Sequence, residues 1–266
     1  MRSSIRSAAA VLSIVLASAA ALPAAAEDPP AGKPPAADEP AATKNEAAVK
    51  FLTELKAVIG KEDEAASRKS IATLVETWKD KDVLPETKKP IPDFLGRYAR
   101  EDKLPIGVAI AAIDAMGEIS PEEGAKEVRS ILEKAIKAKT PPVDVYGACL
   151  RTLKKLADPS KATVDALVSL LVRKENDVVG KAADAISGYK DAPGRVRRDL
   201  MEEVLKIGES AFQAAQSNKD SAATAKWNTI QGGVMSALRA LSGQNLADPL
   251  AARKWFNDHK KDKIWS

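Results

Sequence analysis

The chain holds one histidine and one cysteine, His259 and Cys149, and their isolation bounds the chemistry available to it. A Cys–His nucleophile or a Cys/His-rich metal site needs several such groups converging on one point. His259, beside Lys260 and Lys261, reads as a solvated residue near a helix end, and Cys149, beside Leu150 and near Leu153, as a small core residue. No G-x-S-x-G elbow and no Gly-rich phosphate loop occurs. Carboxylates are plentiful, as at Glu122–Glu123 and Glu202–Glu203, but sequence neighbours do not face each other on a helix. They read as solvated charges that support helix starts. The expectation is a protein that is not an enzyme and uses no cofactor and no metal.

Charge and composition narrow the partner class. Arg2 and Arg6, an apolar run from Ala8 to Leu22 and the small residues Ala24–Ala26 have the pattern of a signal peptide over residues 1–26. The whole chain carries 41 basic and 37 acidic residues; without Arg2 and Arg6 the balance is 39 to 37. A nucleic-acid binder driven by counterion release needs a concentrated basic face, which this balance does not supply. The expected localisation is exported, to the periplasm or the extracellular space. The processed chain has no further long apolar run, so no transmembrane segment is expected in it. A single cysteine also rules out an internal disulfide framework, and the apolar core must carry the stability.

Residues 27–44 form the next segment. Glu27 to Thr43 holds five prolines and five alanines in seventeen residues, a composition that favours an extended, disordered linker. Helical periodicity starts at Asn45, a residue suited to an N-cap, and continues through Phe51, Leu52, Leu55, Val58 and Ile59. Pro85, Pro90 and Pro92 predict a short or broken helix before Phe94, Leu95 and Tyr98. Ser120–Pro121, Asp158–Pro159 and Asp248–Pro249 each place a capping side chain before a proline with its fixed φ, and Thr140–Pro141 and Ala192–Pro193 mark further corners. No stretch shows the period-two alternation of a strand. The fold class is therefore all-α.

A register repeats through these helices. Gly107, Gly147, Gly180 and Gly232 are each followed by apolar residues, or alanine or tyrosine, at plus three, plus six and plus nine, with a proline corner beyond. A recurrence every 30 to 50 residues or so is the mark of stacked helical units, which cannot bury their apolar stripes alone. Glycine in that position would let neighbouring backbones approach closely, although it costs about 1 kcal/mol of helix propensity.

The run Asp177–Asp191, DVVGKAADAISGYKD, resembles the second helix of HEAT-like repeats, as does LRTLKKLADP at Leu150–Pro159. The closing run from Leu241, LSGQNLADPLAARKWFNDHK, is similar to the tail of exported bacterial HEAT-repeat proteins. The resemblance implies a right-handed α-solenoid of stacked antiparallel helix pairs over residues 45–266, closed by a capping helix near 248–260. It also implies that the second helices line a concave, protein-binding surface. With plus three, six and nine inward, plus four and seven face out, which places Asp114, Arg151, Lys154, Asp184 and Arg239 on a possible protein-contact ridge. Ser187 and Ser236 belong to the same outward set. The function expected is a non-catalytic protein-binding or scaffolding module of the cell envelope or extracellular space, monomeric, with a protein partner and no nucleic acid. An inactive accessory subunit of an envelope enzyme, or a hydrolase or lyase working through carboxylates, are the alternatives. If residues 1–26 are a cleaved signal, N-terminal sequencing of the exported form will start at Glu27; an intact Met1 in that fraction would remove the export reading.

Overall fold

Every described element is helical, and each begins where the sequence supplies a proline, a cap or a break. The computed structural model describes residues 41–61, 63–137, 143–217 and 221–265; the signal and linker expectations up to residue 40 and the Thr140–Pro141 corner lie outside them. Along the chain run α1 (Ala41–Val58), α2 (Glu64–Lys79), α3 (Pro85–Lys88), α4 (Ile91–Arg100), α5 (Ile106–Met116) and α6 (Pro121–Lys137). They are followed by α7 (Val143–Leu156), α8 (Lys161–Leu171), α9 (Asn176–Ile186), a 3-10 turn (Ser187–Asp191), α10 (Gly194–Ser217), α11 (Ser221–Ser242), α12 (Pro249–His259) and a final 3-10 turn (Lys263–Trp265). No strand occurs among the described residues, and no helix there is long and apolar enough to cross a membrane.

Pro85, Pro92 and Pro249 act as the sequence suggests, whereas Pro159 stands before the Ser160 cap and does not open α8. Pro85 opens α3, and α4 carries Pro92 in its first turn and buries Phe94, Leu95 and Tyr98. Asp248 caps α12 by accepting from the Ala251 N–H at 2.8 Å, with Pro249 in the first helical turn. At the amino end the structure corrects the sequence reading. Helix α1 starts at Ala41, so Asn45 lies inside it and is not its cap. The Asn45 Oδ1 instead accepts from the Leu84 N–H at 3.1 Å and the Thr87 hydroxyl at 2.8 Å, tying α1 to the start of α3. A residue suited to capping its own helix instead satisfies the backbone N–H that precedes another helix and a hydroxyl within it.

Packing follows the chain order. Helices α4, α6, α8 and α10 touch in succession, and so do α5, α7, α9 and α11; each member of the first row also packs on the following member of the second. Helix α2 lies on α4 and α5 at one end, and α12 on α10 and α11 at the other. The core between the rows follows most of the apolar register found in the sequence: Ile113, Met116, Leu150, Leu153, Ala183, Ile186, Tyr189, Leu238 and Leu241 are buried, whereas Ile110 and Leu156 of the same register are only half-buried. Each buried leucine or isoleucine contributes roughly 1.5–3 kcal/mol relative to exposure.

The glycines behave less uniformly than their spacing suggests. Of the four register glycines, only Gly180 meets another backbone closely: a Cβ there would stand 3.1 Å from the Thr229 carbonyl oxygen. Around Gly232 nothing lies within 4 Å, and at Gly147 only the Arg151 side chain comes near. The close approach belongs to the next residue, Gly233, where a Cβ would fall 2.0 Å from the Gly180 carbonyl oxygen. Helices α9 and α11 therefore cross glycine on glycine. The long interval between Gly180 and the α11 glycines reflects the lengths of α10 and α11, 24 and 22 residues.

Adjacent glycines on one helix thus predict opposite outcomes. Gly232→Ala should raise stability by about 0.5–1 kcal/mol through helix propensity, whereas Gly233→Ala should lower it by about 1–3 kcal/mol through overpacking. Urea unfolding of the two variants gives the comparison, and equal shifts would contradict the close crossing.

Candidate functional site

The two residues with nucleophile or ligand chemistry are both used structurally. Cys149 is fully buried on α7, and burial pushes its thiol up to about 12, so the thiolate needed for reaction is scarce at neutral pH. The ring of His259 stacks on Trp255 with centroids 4.8 Å apart, and its Nδ1 sits 2.7 Å from the Trp255 carbonyl oxygen. Trp265 is 6% exposed, packs edge-on to Trp255 and Phe256, and donates its indole N–H to the His259 carbonyl at 3.0 Å. Its backbone lies directly against Gly194, where a Cβ would stand 2.2 Å from the Trp265 carbonyl carbon. Among the described residues no group of three His, Cys, Asp or Glu side chains is placed to hold a metal ion.

The ridge residues lie on successive helices of the second row, and four of them pair with one another. Arg151 on α7 faces Asp114 on α5 at 3.8 Å. Lys154, one turn further along α7, donates to both carboxylate oxygens of Asp184 on α9, at 2.9 and 3.0 Å. Arg239 on α11 stands apart from this strip, and its Nε donates to the Leu246 carbonyl at 2.9 Å, holding the turn before α12. Ser187, expected to face outward, is buried with its hydroxyl donating to the Asp184 carbonyl. It opens the 3-10 turn, and the change of helix type rotates it inward.

Beside the strip is an open groove of about 720 Å³, formed where the end of α7 and the 157–159 corner meet the 187–193 turn. Arg151, Lys154, Lys155 and Lys190 line it, against one carboxylate, Asp191. Ala157, Pro159, Ala192 and Pro193 supply its apolar surface. Lys155 pairs with Glu118, which also accepts from Lys79 at 2.9 Å. The hydrogen bonds from Lys155 and then Lys79 lower the Glu118 carboxyl to about 2. Lys155 and Lys190 were absent from the sequence-derived ridge because the first falls off its plus-four, plus-seven register and the second lies outside the α-helices. The basic run Arg151, Lys154 and Lys155 marks one wall in the sequence, whereas residues 187–193, with one lysine and one aspartate, carry no such mark.

The groove is held in shape from beneath by Asp158. The sequence reads this residue as the cap of α8; the structure gives that role to Ser160, whose hydroxyl accepts from the Thr163 N–H. Asp158 is instead 6% exposed, and its carboxylate accepts from the Ser160 N–H at 3.1 Å, the hydroxyls of Ser160 and Thr163, and the Arg129 guanidinium at 3.4 Å. Its own carbonyl accepts from the buried Tyr189 hydroxyl at 3.1 Å. One residue therefore joins α6, α8 and the 187–191 turn. The residue before it, Ala157, has φ of 45°, a left-handed conformation costing a non-glycine residue about 1–2 kcal/mol. Such strain persists where surrounding contacts over-determine it. On the far side, Gly188 packs on α7 so closely that a Cβ would lie 2.1 Å from the Lys154 carbonyl oxygen.

Burial alone would raise the Asp158 pKa, but the Ser160 and Thr163 hydrogen bonds and the Arg129 charge outweigh it and hold the carboxyl below 3.8. A depressed folded-state pKa contributes stability above the unfolded value, and that contribution is lost as pH falls through the folded one. Asp158→Asn should lower stability at pH 7 by roughly 1.5–3 kcal/mol. It should also shrink the acid-induced loss of stability below about pH 4. Urea titrations across pH measure both, and an unchanged acid limb would show that Asp158 is not the group responsible.

No family model matches the chain, and no curated protein matches it. Twelve solved chains do. One is an engineered protein of known crystal structure, 17% identical, with a TM-score of 0.37, covering 78% of this chain and 93% of its own. A second, also engineered, is 14% identical with a TM-score of 0.31, covering 86% of this chain and 63% of its own.

Proposed function

We propose that this chain is a non-catalytic protein-binding or scaffolding module, a right-handed α-solenoid of HEAT-like helix pairs exported to the periplasm or extracellular space. The observation that carries the binding role is the charged strip on α5, α7 and α9. Arg151–Asp114 and Lys154–Asp184 put four charges in a row on three successive helices, on rigid elements rather than on loops. Exposed pairs of this kind contribute about 0–1 kcal/mol to folding, so their value to stability is small. Their regular placement suits a partner that reads charge at helix spacing, because complementary potentials set register and association rate more than affinity. Among the described residues the main helix contacts run between near neighbours, which favours the solenoid, since that is how repeat arrays bury their apolar stripes.

The test is capture of an envelope partner by the tagged full-length chain. Arg151→Glu with Lys154→Glu should abolish capture while leaving the thermal unfolding midpoint nearly unchanged. The exchange Lys154→Asp with Asp184→Lys keeps an ion pair but reverses its polarity. Capture should stay lost in that variant if the partner reads the strip, and recovery would show that only the internal pair mattered.

A further inference from the structure

We propose that the groove between the end of α7 and the 187–193 turn binds an extended acidic segment of a partner polypeptide, one that alternates carboxylates with small apolar residues. This rests on the protein-binding reading and names the chemistry that the partner must bring.

The argument is one of charge, availability and shape. Four cations line the groove against one carboxylate, and the ion-pair partners Asp114, Asp184 and Glu118 stand outside its lining, so the groups that face the groove are mainly cationic. Those cations differ in how firmly they are held. Lys154 is committed to both oxygens of Asp184 and serves as a fixed wall. Lys190 is exposed and makes no ion pair among the described residues. Arg151 reaches Asp114 only at 3.8 Å, with 62% of its side chain and 52% of Asp114's exposed, a geometry that water screens heavily. Lys155 can turn to an incoming carboxylate without orphaning Glu118, because Lys79 still holds that group. Arg151 and Lys190 can therefore exchange a weak internal contact, or none, for a ligand carboxylate, and Lys155 can be shared with one while Lys79 holds Glu118.

The remaining surface selects among anions. Ala157, Pro159, Ala192 and Pro193 form an apolar floor on which small side chains can pack between the charges. A groove of about 720 Å³ falls within the roughly 300–1,000 Å³ of ligand sites, and being open to water it accommodates a passing chain. Its lining contains no aromatic side chain, and aromatic platforms are what single-stranded nucleic acids stack on. The floor is also stiff. Tyr189, Asp158 and the close Gly188–Lys154 contact join its two sides, so little ordering entropy is lost on binding.

Fluorescence anisotropy of a labelled Glu/Ala/Pro peptide titrated with the full chain tests the proposal, with a Lys/Ala/Pro peptide and an oligothymidylate as comparisons. The acidic peptide should bind, the basic one should not, and affinity should fall as salt rises. Lys190→Glu and Lys155→Glu should each weaken binding about tenfold. Lys161→Glu, an exposed α8 lysine outside the groove lining, should leave it unchanged. Wild-type affinity in Lys190→Glu, or tighter binding of the oligothymidylate, would overturn the proposal. If the acidic peptide fails to bind while Arg151→Glu with Lys154→Glu still abolishes partner capture, the groove assignment falls and the binding-module reading stands. If capture survives that double variant as well, both fall.

Discussion

The Asp158 carboxylate is the contact on which the middle of the molecule depends. It sits at a corner where α7 must end, turn sharply and restart as α8, and the turn puts Ala157 in a left-handed conformation. An alanine there is stable only if the corner is held from several directions. Arg129 on α6, Ser160 and Thr163 at the start of α8, and Tyr189 from the 187–191 turn all converge on this residue. A buried carboxylate without such partners would carry a large desolvation cost. With them it becomes a joint between both rows of helices.

The second constraint is steric. Along α9 and α11 the backbones come so near that Gly233 and Gly180 have no room for a side chain between them, and Gly188 and Gly194 serve the same end against α7 and the C-terminal turn. Close crossings of this kind allow the apolar residues on either side, such as Ile186, Ile230 and Leu238, to be fully buried. The aromatic cluster of Trp255, Phe256 and Trp265 closes the far end, with Arg253 held by Glu209 through two hydrogen bonds at 2.9 and 2.7 Å.

The same geometry orders the surface. Ion pairs on α5, α7 and α9 join consecutive helices, so the outward register of the helices carries complementary charge from one to the next. The groove beside them differs because its two walls come from a helix end and a 3-10 turn, where the register breaks. Basic side chains collect there without an equal number of carboxylates facing the same space. A basic groove thus arises where the periodic pattern stops.

Periodicity and punctuation were legible in the residues themselves. Helix content, most of the buried positions at plus three, six and nine, the broken helix around Pro85 to Pro92 and the Asp248 cap all follow from local rules of side-chain spacing and backbone geometry. Those rules act within a few residues, so a single chain states them directly. Local rules could not choose between Gly232 and Gly233, because only the angle and height at which α9 meets α11 decides which one lacks space for a Cβ. They could not assign Asn45, which lies inside α1 and whose side chain goes to a partner 39 residues away, nor Asp158, whose cap role passes to Ser160 while its carboxylate is shared among Ser160, Thr163 and Arg129. Nor could they place Lys155 and Lys190 in one groove, because that pairing exists only once α7 and the 187–191 turn are packed together.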